Sequence, residues 1–167
     1  AQRLLLLVNQ LMDLRKNQSG NLQLRVSHND LYLFTQEIYI AFNQIAVKER
    51  IIFRLESDES GIDAWFDRVL LEKVFFNLLS NAFKHTAPDE SITIRLQLFS
   101  VAGLQEQFPG RISGEVRGTS RYVCLSVEDT GKGIDDSDKF HIFSPFYQGT
   151  DESESNTAGT GIGLSLV

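Results

Sequence analysis

Apolar runs of period two alternating with apolar stripes of helical period predict an α/β fold, a two-layer sandwich with a mixed sheet and helices on one face. Two observations carry this. "LQLRVS", "RIIFRLE", "SITIRLQLF" and "RYVCLSVED" read as strands, and two amphipathic helices fall between the first three, in the order strand, helix, strand, helix, strands. A chain of 167 residues that is 42% hydrophobic is also long enough to bury one main core.

Leu4, Leu7, Leu11 and Leu14 recur at spacings of three and four, widened by Val8 and Met12. They form either a bundle seam or one more core helix of the same domain. "NQSGN" ends this helix, with Gly20 as C-terminal cap, so residues 1–19 are set apart from a domain over 20–167. After the strand "LQLRVS", Asn29 or Asp30 caps a helix whose inward face is Phe34, Ile38, Ala41, Phe42 and Ile45. "RIIFRLE" is the next strand, "SDESGID" a turn, and a helix runs from about Asp67 to His85 with Pro88 at its exit. Two more strands enclose residues 102–120, read as a long irregular hairpin loop. "GTGIGLSLV" opens a final helix and stops, so the domain is expected to be cut at its C-terminus.

Charge and cysteine content narrow the function. A formal charge of -6 and a pI near 5.0 argue against nucleic-acid binding, which needs a basic surface to displace phosphate counterions. One cysteine, Cys124 in the apolar run "YVCLSV", allows no internal disulfide and no thiolate-rich metal site, and is expected in the core. "LLLLV" is far shorter than the roughly 20 apolar residues of a spanning helix.

The helix over 67–85 carries the chemistry. At 100° per residue, Lys73, Asn77, Ser80, Asn81 and Lys84 share one polar face, while Leu71, Val74, Phe75, Leu78 and Ala82 point elsewhere. Asparagine is a poor helix former, and a stripe of this kind either meets solvent or lines a pocket. Carboxamide oxygens suit Mg²⁺, which takes one or two protein oxygens beside phosphates and water, and Lys84 suits a phosphate. "VEDTGKGI" places Asp129 at a strand end before Gly131 and Gly133. It reads either as an ordinary turn or as a carboxylate that accepts from an exocyclic amine. In "GTGIGLSL", glycines 159, 161 and 163 open a helix whose amides can receive anionic oxygens.

Together and in this order, these segments resemble the catalytic ATP-binding domain of sensor histidine kinases. "NLLSNAFKHT" is similar to the family's N box, "DTGKGI" to its first glycine box, "FSPFYQ" to its F box and "GTGIGLSLV" to its second glycine box. "VNQLMDLRKNQSG" resembles the end of the second dimerisation helix, as in hybrid sensors of Bacteroides-type bacteria. The resemblance spans essentially the whole chain and implies the fold shared by histidine kinases, gyrase-type ATPases and heat-shock chaperones.

By that resemblance, Asn81 and Asn77 hold Mg²⁺, Lys84 meets the phosphates, and His85 flanks the nucleotide where the family often has tyrosine. Asp129 accepts from the adenine amine, and Gly131, Gly133 and Ile134 shape the base pocket. Phe143 and Phe146 anchor a lid, or else are plain core residues. Gly159, Thr160, Gly161, Gly163 and Leu164 wrap the phosphates, and residues 147–158 form the lid. The implied function is histidine protein kinase activity in a two-component system: ATP and Mg²⁺ are bound, and the γ-phosphate is presented to a histidine on a dimerisation domain. The implied partners are that domain, a response-regulator receiver domain and, in the parent protein, a second copy. The implied setting is the cytoplasmic portion of a membrane-bound sensor.

His28 in "SHND" lacks the acceptor histidine's flanking residues and is expected at a strand end on the surface, as is His141 near the lid. The isolated chain is therefore expected to bind ATP without phosphorylating itself. Two rivals remain: an ATP-hydrolysing relative of the fold, and a degenerate docking or dimerisation module. The hydrolysing relatives use a glutamate one turn before the magnesium asparagine, and here that position is Asn77.

Overall fold

The structure, a computed structural model, describes residues 23–109, 121–147 and 161–167. The leucine pattern of residues 1–19, the region 110–120 and Gly159 and Thr160 lie outside the described residues. The chain divides into two compact units. One comprises residues 29–64 and 86–131; the other comprises the chain before Asn29 with residues 65–85 and 132–167.

The first unit is built on a mixed three-stranded sheet of order β2–β4–β5. Strand β2 (Ile52–Ser57) runs parallel to β4 (Ser91–Phe99), Ile52 opposite Ser91, and β4 runs antiparallel to β5 (Tyr122–Asp129), Ile92 opposite Asp129. The central strand carries the buried residues Ile92, Ile94 and Leu96. Helix α1 (Leu31–Glu49) packs against β2. Asp30 is its N-cap: one carboxylate oxygen accepts from the amides of Tyr32 and Leu33 at 2.9 and 3.1 Å. Arg50, at φ 58°, ends the helix.

The buried face of α1 is Leu31, Phe34, Thr35, Ile38, Phe42 and Ala46. Phe34, Ile38 and Phe42 stand as expected, but Ala41 and Ile45 are exposed. Ala46 takes the inward place because the chain folds back there: the Ile51 amide donates to the Ala46 carbonyl at 2.9 Å.

Three other expectations change. The strand expected over "LQLRVS" lies further on, as β1 (Ser27–Asp30), which pairs with β3 (Asp63–Phe66). A strand is set by the partner it pairs with, and β3, four residues long, is too short to show alternation in sequence. Part of the expected 102–120 loop is the short helix α3 (Val101–Gln107), capped by Ser100 Oγ, which accepts from the Gly103 amide at 3.2 Å. Cys124 is half-buried rather than core, because it stands opposite Gln97, on the face of the sheet turned away from that of Ile94 and Leu96.

In the second unit, helix α2 (Arg68–His85) buries Phe75, Leu79 and Ala82 at spacings of four and three. Leu79 lies deepest together with Phe75, while Leu78 is half-buried. Asp67 caps α2: Oδ1 accepts from the Val69 and Leu70 amides, each at 3.1 Å. Oδ2 accepts from the Arg25 amide at 2.8 Å, which ties the preceding segment to the helix start. Residues 135–147 form consecutive turns. The last segment is a three-residue 3₁₀ turn, Leu164–Leu166, packed on α2, where a helix start was expected.

Candidate nucleotide site

Helix α2 fixes the asparagine stripe. Phe75, Leu79 and Ala82 anchor one side, and 100° per residue then sets Asn77 and Asn81 on another, both half-buried. One turn on, Lys84 is exposed and His85 is half-buried. Both sit in the last turn, where a positive charge is favoured by the helix dipole.

The second glycine segment lies against this stripe. A Cβ on Gly163 would stand 3.4 Å from Asn77 Oδ1 and 3.8 Å from its Cγ, ordinary contact distances that put this backbone directly against the carboxamide. Next to it, Ile162 is buried and Leu164 half-buried. The structure thus brings together Asn77, Gly163 and, through the backbone, Gly161 and Leu164.

Gly161 in turn clasps the aromatic segment. The Phe146 amide donates to the Gly161 carbonyl at 2.8 Å, joining the two ends of the intervening polar stretch. Gly161 has φ +66°, and a Cβ there would fall 2.8 Å from the Phe146 carbonyl carbon and 3.0 Å from the Tyr147 carbonyl oxygen. Both the backbone conformation and the space demand glycine.

Phe143 and Phe146 are exposed, which removes the reading of them as plain core residues, and Phe140 is 86% exposed. Turn geometry accounts for this: Phe146 sits at φ 66° and its neighbours bond locally, Ser144 to His141 and Tyr147 to Ser144. Ile134 is exposed as well, next to Gly133 at φ +74° with nothing within 4 Å of a Cβ.

A cluster that sequence reasoning missed stands at the start of the polar stretch. The Tyr147 hydroxyl donates to Asp138 Oδ1 at 2.7 Å, and the Tyr147 ring lies 5.5 Å from that of exposed His141. The bond to the carboxylate holds the phenol's pKa above its ordinary value. No motif in the sequence signals this pairing across nine residues.

In the sheet unit, Asp129 is the last residue of β5 and is exposed. Its Oδ1 accepts from the Gly131 amide at 3.1 Å, an Asx turn that orients the carboxylate and involves half-buried Gly131. Thr130 braces this turn: its amide donates to the Ser91 carbonyl at 3.0 Å and its Oγ1 accepts from the Ser91 amide at 2.9 Å. The Asp-Thr-Gly turn and the strand-end carboxylate are thus the same object.

Residues 66–167 match the family described as histidine kinase-, DNA gyrase B-, and HSP90-like ATPase. The chain belongs to that family. Among curated relatives of this ATPase family, it is 31% identical over 170 residues to histidine kinase P4 of Formosa agariphila, covering all of this chain and 11% of that protein. It is 32% identical over 167 residues to sensor histidine kinase TmoS of Ectopseudomonas mendocina, covering all of this chain and 15% of that one. The chain therefore spans only a small part of the length of these relatives.

Among solved structures, the catalytic domain of histidine kinase ThkA superposes with a TM-score of 0.62 at 26% identity, covering 85% of this chain and 76% of that one. Full-length ShkA in complex with AMPPNP superposes with a TM-score of 0.73 at 19% identity, covering 98% of this chain and 29% of that one, a likeness of fold alone. The α/β fold with a mixed sheet and helices is that of the histidine kinase catalytic domains.

Proposed function

We propose that this domain binds ATP with Mg²⁺ and presents the γ-phosphate to a histidine on a dimerisation domain, from which a response-regulator receiver domain takes it. The carrying observation is the second glycine segment seated on α2, with Gly163 against the Asn77 carboxamide. A glycine backbone against one carboxamide of a helix stripe that also carries Asn81 and Lys84 suits a metal-bound polyphosphate, whose crowded oxygens need close approach and neutral or cationic partners.

In this reading Asn81 and Asn77 supply oxygens to Mg²⁺, and Lys84 neutralises phosphate charge. Mg²⁺, when bound, offsets the charge that builds on the phosphate oxygens. Asp129 accepts from the adenine amine, with Gly131, Gly133 and Ile134 beside the base and His85 beside the nucleotide. Gly159, Thr160, Gly161, Gly163 and Leu164 follow the phosphates, while Phe143 and Phe146 hold the lid and help exclude water. Phosphoryl transfer in line needs little covalent chemistry from the protein, so positioning and charge neutralisation carry the catalysis.

Hydrolysis is disfavoured because the carboxamide of Asn77 cannot take a proton from water, and Glu72, five residues earlier, is exposed. A docking module without nucleotide would have no use for a half-buried asparagine stripe packed against a glycine segment. In the parent protein we place this domain on the cytoplasmic side of a membrane-bound, homodimeric sensor.

The test mixes the chain with Mg-ATP and a separately purified dimerisation domain carrying the acceptor histidine. Acid-labile, base-stable phosphate should appear on that domain, and Asn81→Ala should abolish it along with the Mg²⁺ dependence of ATP binding. Phosphohistidine on the chain alone, or phosphate release lost in Asn77→Ala, would overturn the proposal.

A further inference from the structure

The side of α1 that faces away from its core is apolar in a regular way. Leu33, Ile40 and Val47 are 53%, 62% and 72% exposed, and they stand seven residues apart. At 100° per residue a seven-residue step drifts by only about 20°, so the three side chains line up along the helix opposite Phe34, Ile38 and Phe42. Exposed single leucines are ordinary; an aligned stripe rimmed by Gln36, Glu37, Asn43 and Gln44 marks a contact surface.

The stripe is symmetric about its middle. Ile40 has Leu33 seven residues before it and Val47 seven residues after it. A twofold-symmetric contact requires a patch that complements itself, and such a palindrome meets that requirement when two copies run antiparallel. We propose that this face of α1 pairs with the same face of a second copy of the chain, antiparallel, about a twofold axis at Ile40.

The charges fit that arrangement. Ile40 meets its own copy and Leu33 meets Val47. On one flank Glu37 comes level with Gln44, and on the other Gln36 comes level with Asn43, so no like charges oppose. At the ends, Lys48 of each copy comes beside Asp30 of the other, and the antiparallel helix dipoles attract. The stripe is about 21 Å long, which buries less than the roughly 1,200 Å² of a stable interface, so the contact is weak by itself.

The full chain is examined by sedimentation equilibrium from about 5 μM to about 1 mM. A concentration-dependent dimer is expected, and Ile40→Glu should weaken it at least about tenfold with the melting temperature unchanged. In a Cys124→Ser background, Ile40→Cys should form a disulfide dimer under mild oxidation. Leu33→Cys should do so when mixed with Val47→Cys and not alone. A monomer throughout the range overturns the proposal. So does a dimer indifferent to Ile40→Glu, which would point to the leucines of residues 4–14, or self-crosslinking of Leu33→Cys, which would mean parallel pairing.

Discussion

The amide of Phe146 donates to the carbonyl of Gly161 at 2.8 Å, and both residues hold positive φ, 66° each. This clasp joins the aromatic segment to the second glycine segment, and through Gly163 it is continuous with Asn77 on α2. The position of the second glycine segment therefore depends on a residue that cannot tolerate a side chain.

Gly161→Ala combines a left-handed backbone with a Cβ 2.8 Å from a backbone carbon. Urea unfolding should show a loss of about 1–3 kcal/mol, and ATP affinity should fall with it. Gly133→Ala offers the contrast. Its φ of +74° is also left-handed, but nothing lies within 4 Å, so only the conformational cost of about 1 kcal/mol should appear.

Much of this was legible in the sequence because it is local. The Asp30 cap, the main strands of the sheet, the asparagine stripe and the Asp129 turn all follow from residues a few positions apart. What was missed depends on distant partners or on very short elements. β3 exists because β1 lies beside it, and Ala46 is buried because Ile51 returns over it. The Tyr147–Asp138 bond links turns that no periodicity connects. For Phe143 and Phe146, composition alone does not separate lid anchor from core, and their exposure removes the core alternative.

Acid should weaken the start of α2. Three backbone amides, led by that of Arg25, hold the Asp67 carboxyl below its ordinary value of 3.8. A carboxylate with a lowered folded-state pKa contributes stability above its unfolded value and loses it as pH falls through the folded one. The stability gap between the wild-type chain and Asp67→Ala should therefore be constant near neutrality and close as the pH drops below about 3.8. Urea midpoints across pH 2.5–7, a range set by carboxylate titration at about 4, check this.

Thr86 offers a stabilising change. Its Oγ1 is buried and has no hydrogen-bond partner among the described residues. Replacing an unsatisfied hydroxyl with a methyl group of the same shape removes a desolvation penalty. Thr86→Val should raise the unfolding free energy by about 1 kcal/mol in a urea titration.

The central claim is that Asp129 reads the adenine of bound ATP. Calorimetric titration of ATP, with Mg²⁺ present, into the wild-type chain, Asp129→Ala and Asp129→Asn tests it most directly. Asparagine keeps an acceptor for the Gly131 amide, so Asp129→Asn separates loss of the turn from loss of recognition. A hydrogen bond to a charged group is worth about 1.5–3 kcal/mol, so both variants should bind roughly ten- to a hundredfold more weakly while remaining folded. Equal affinity in wild type and variants, or no binding by the folded wild-type chain, would contradict the account.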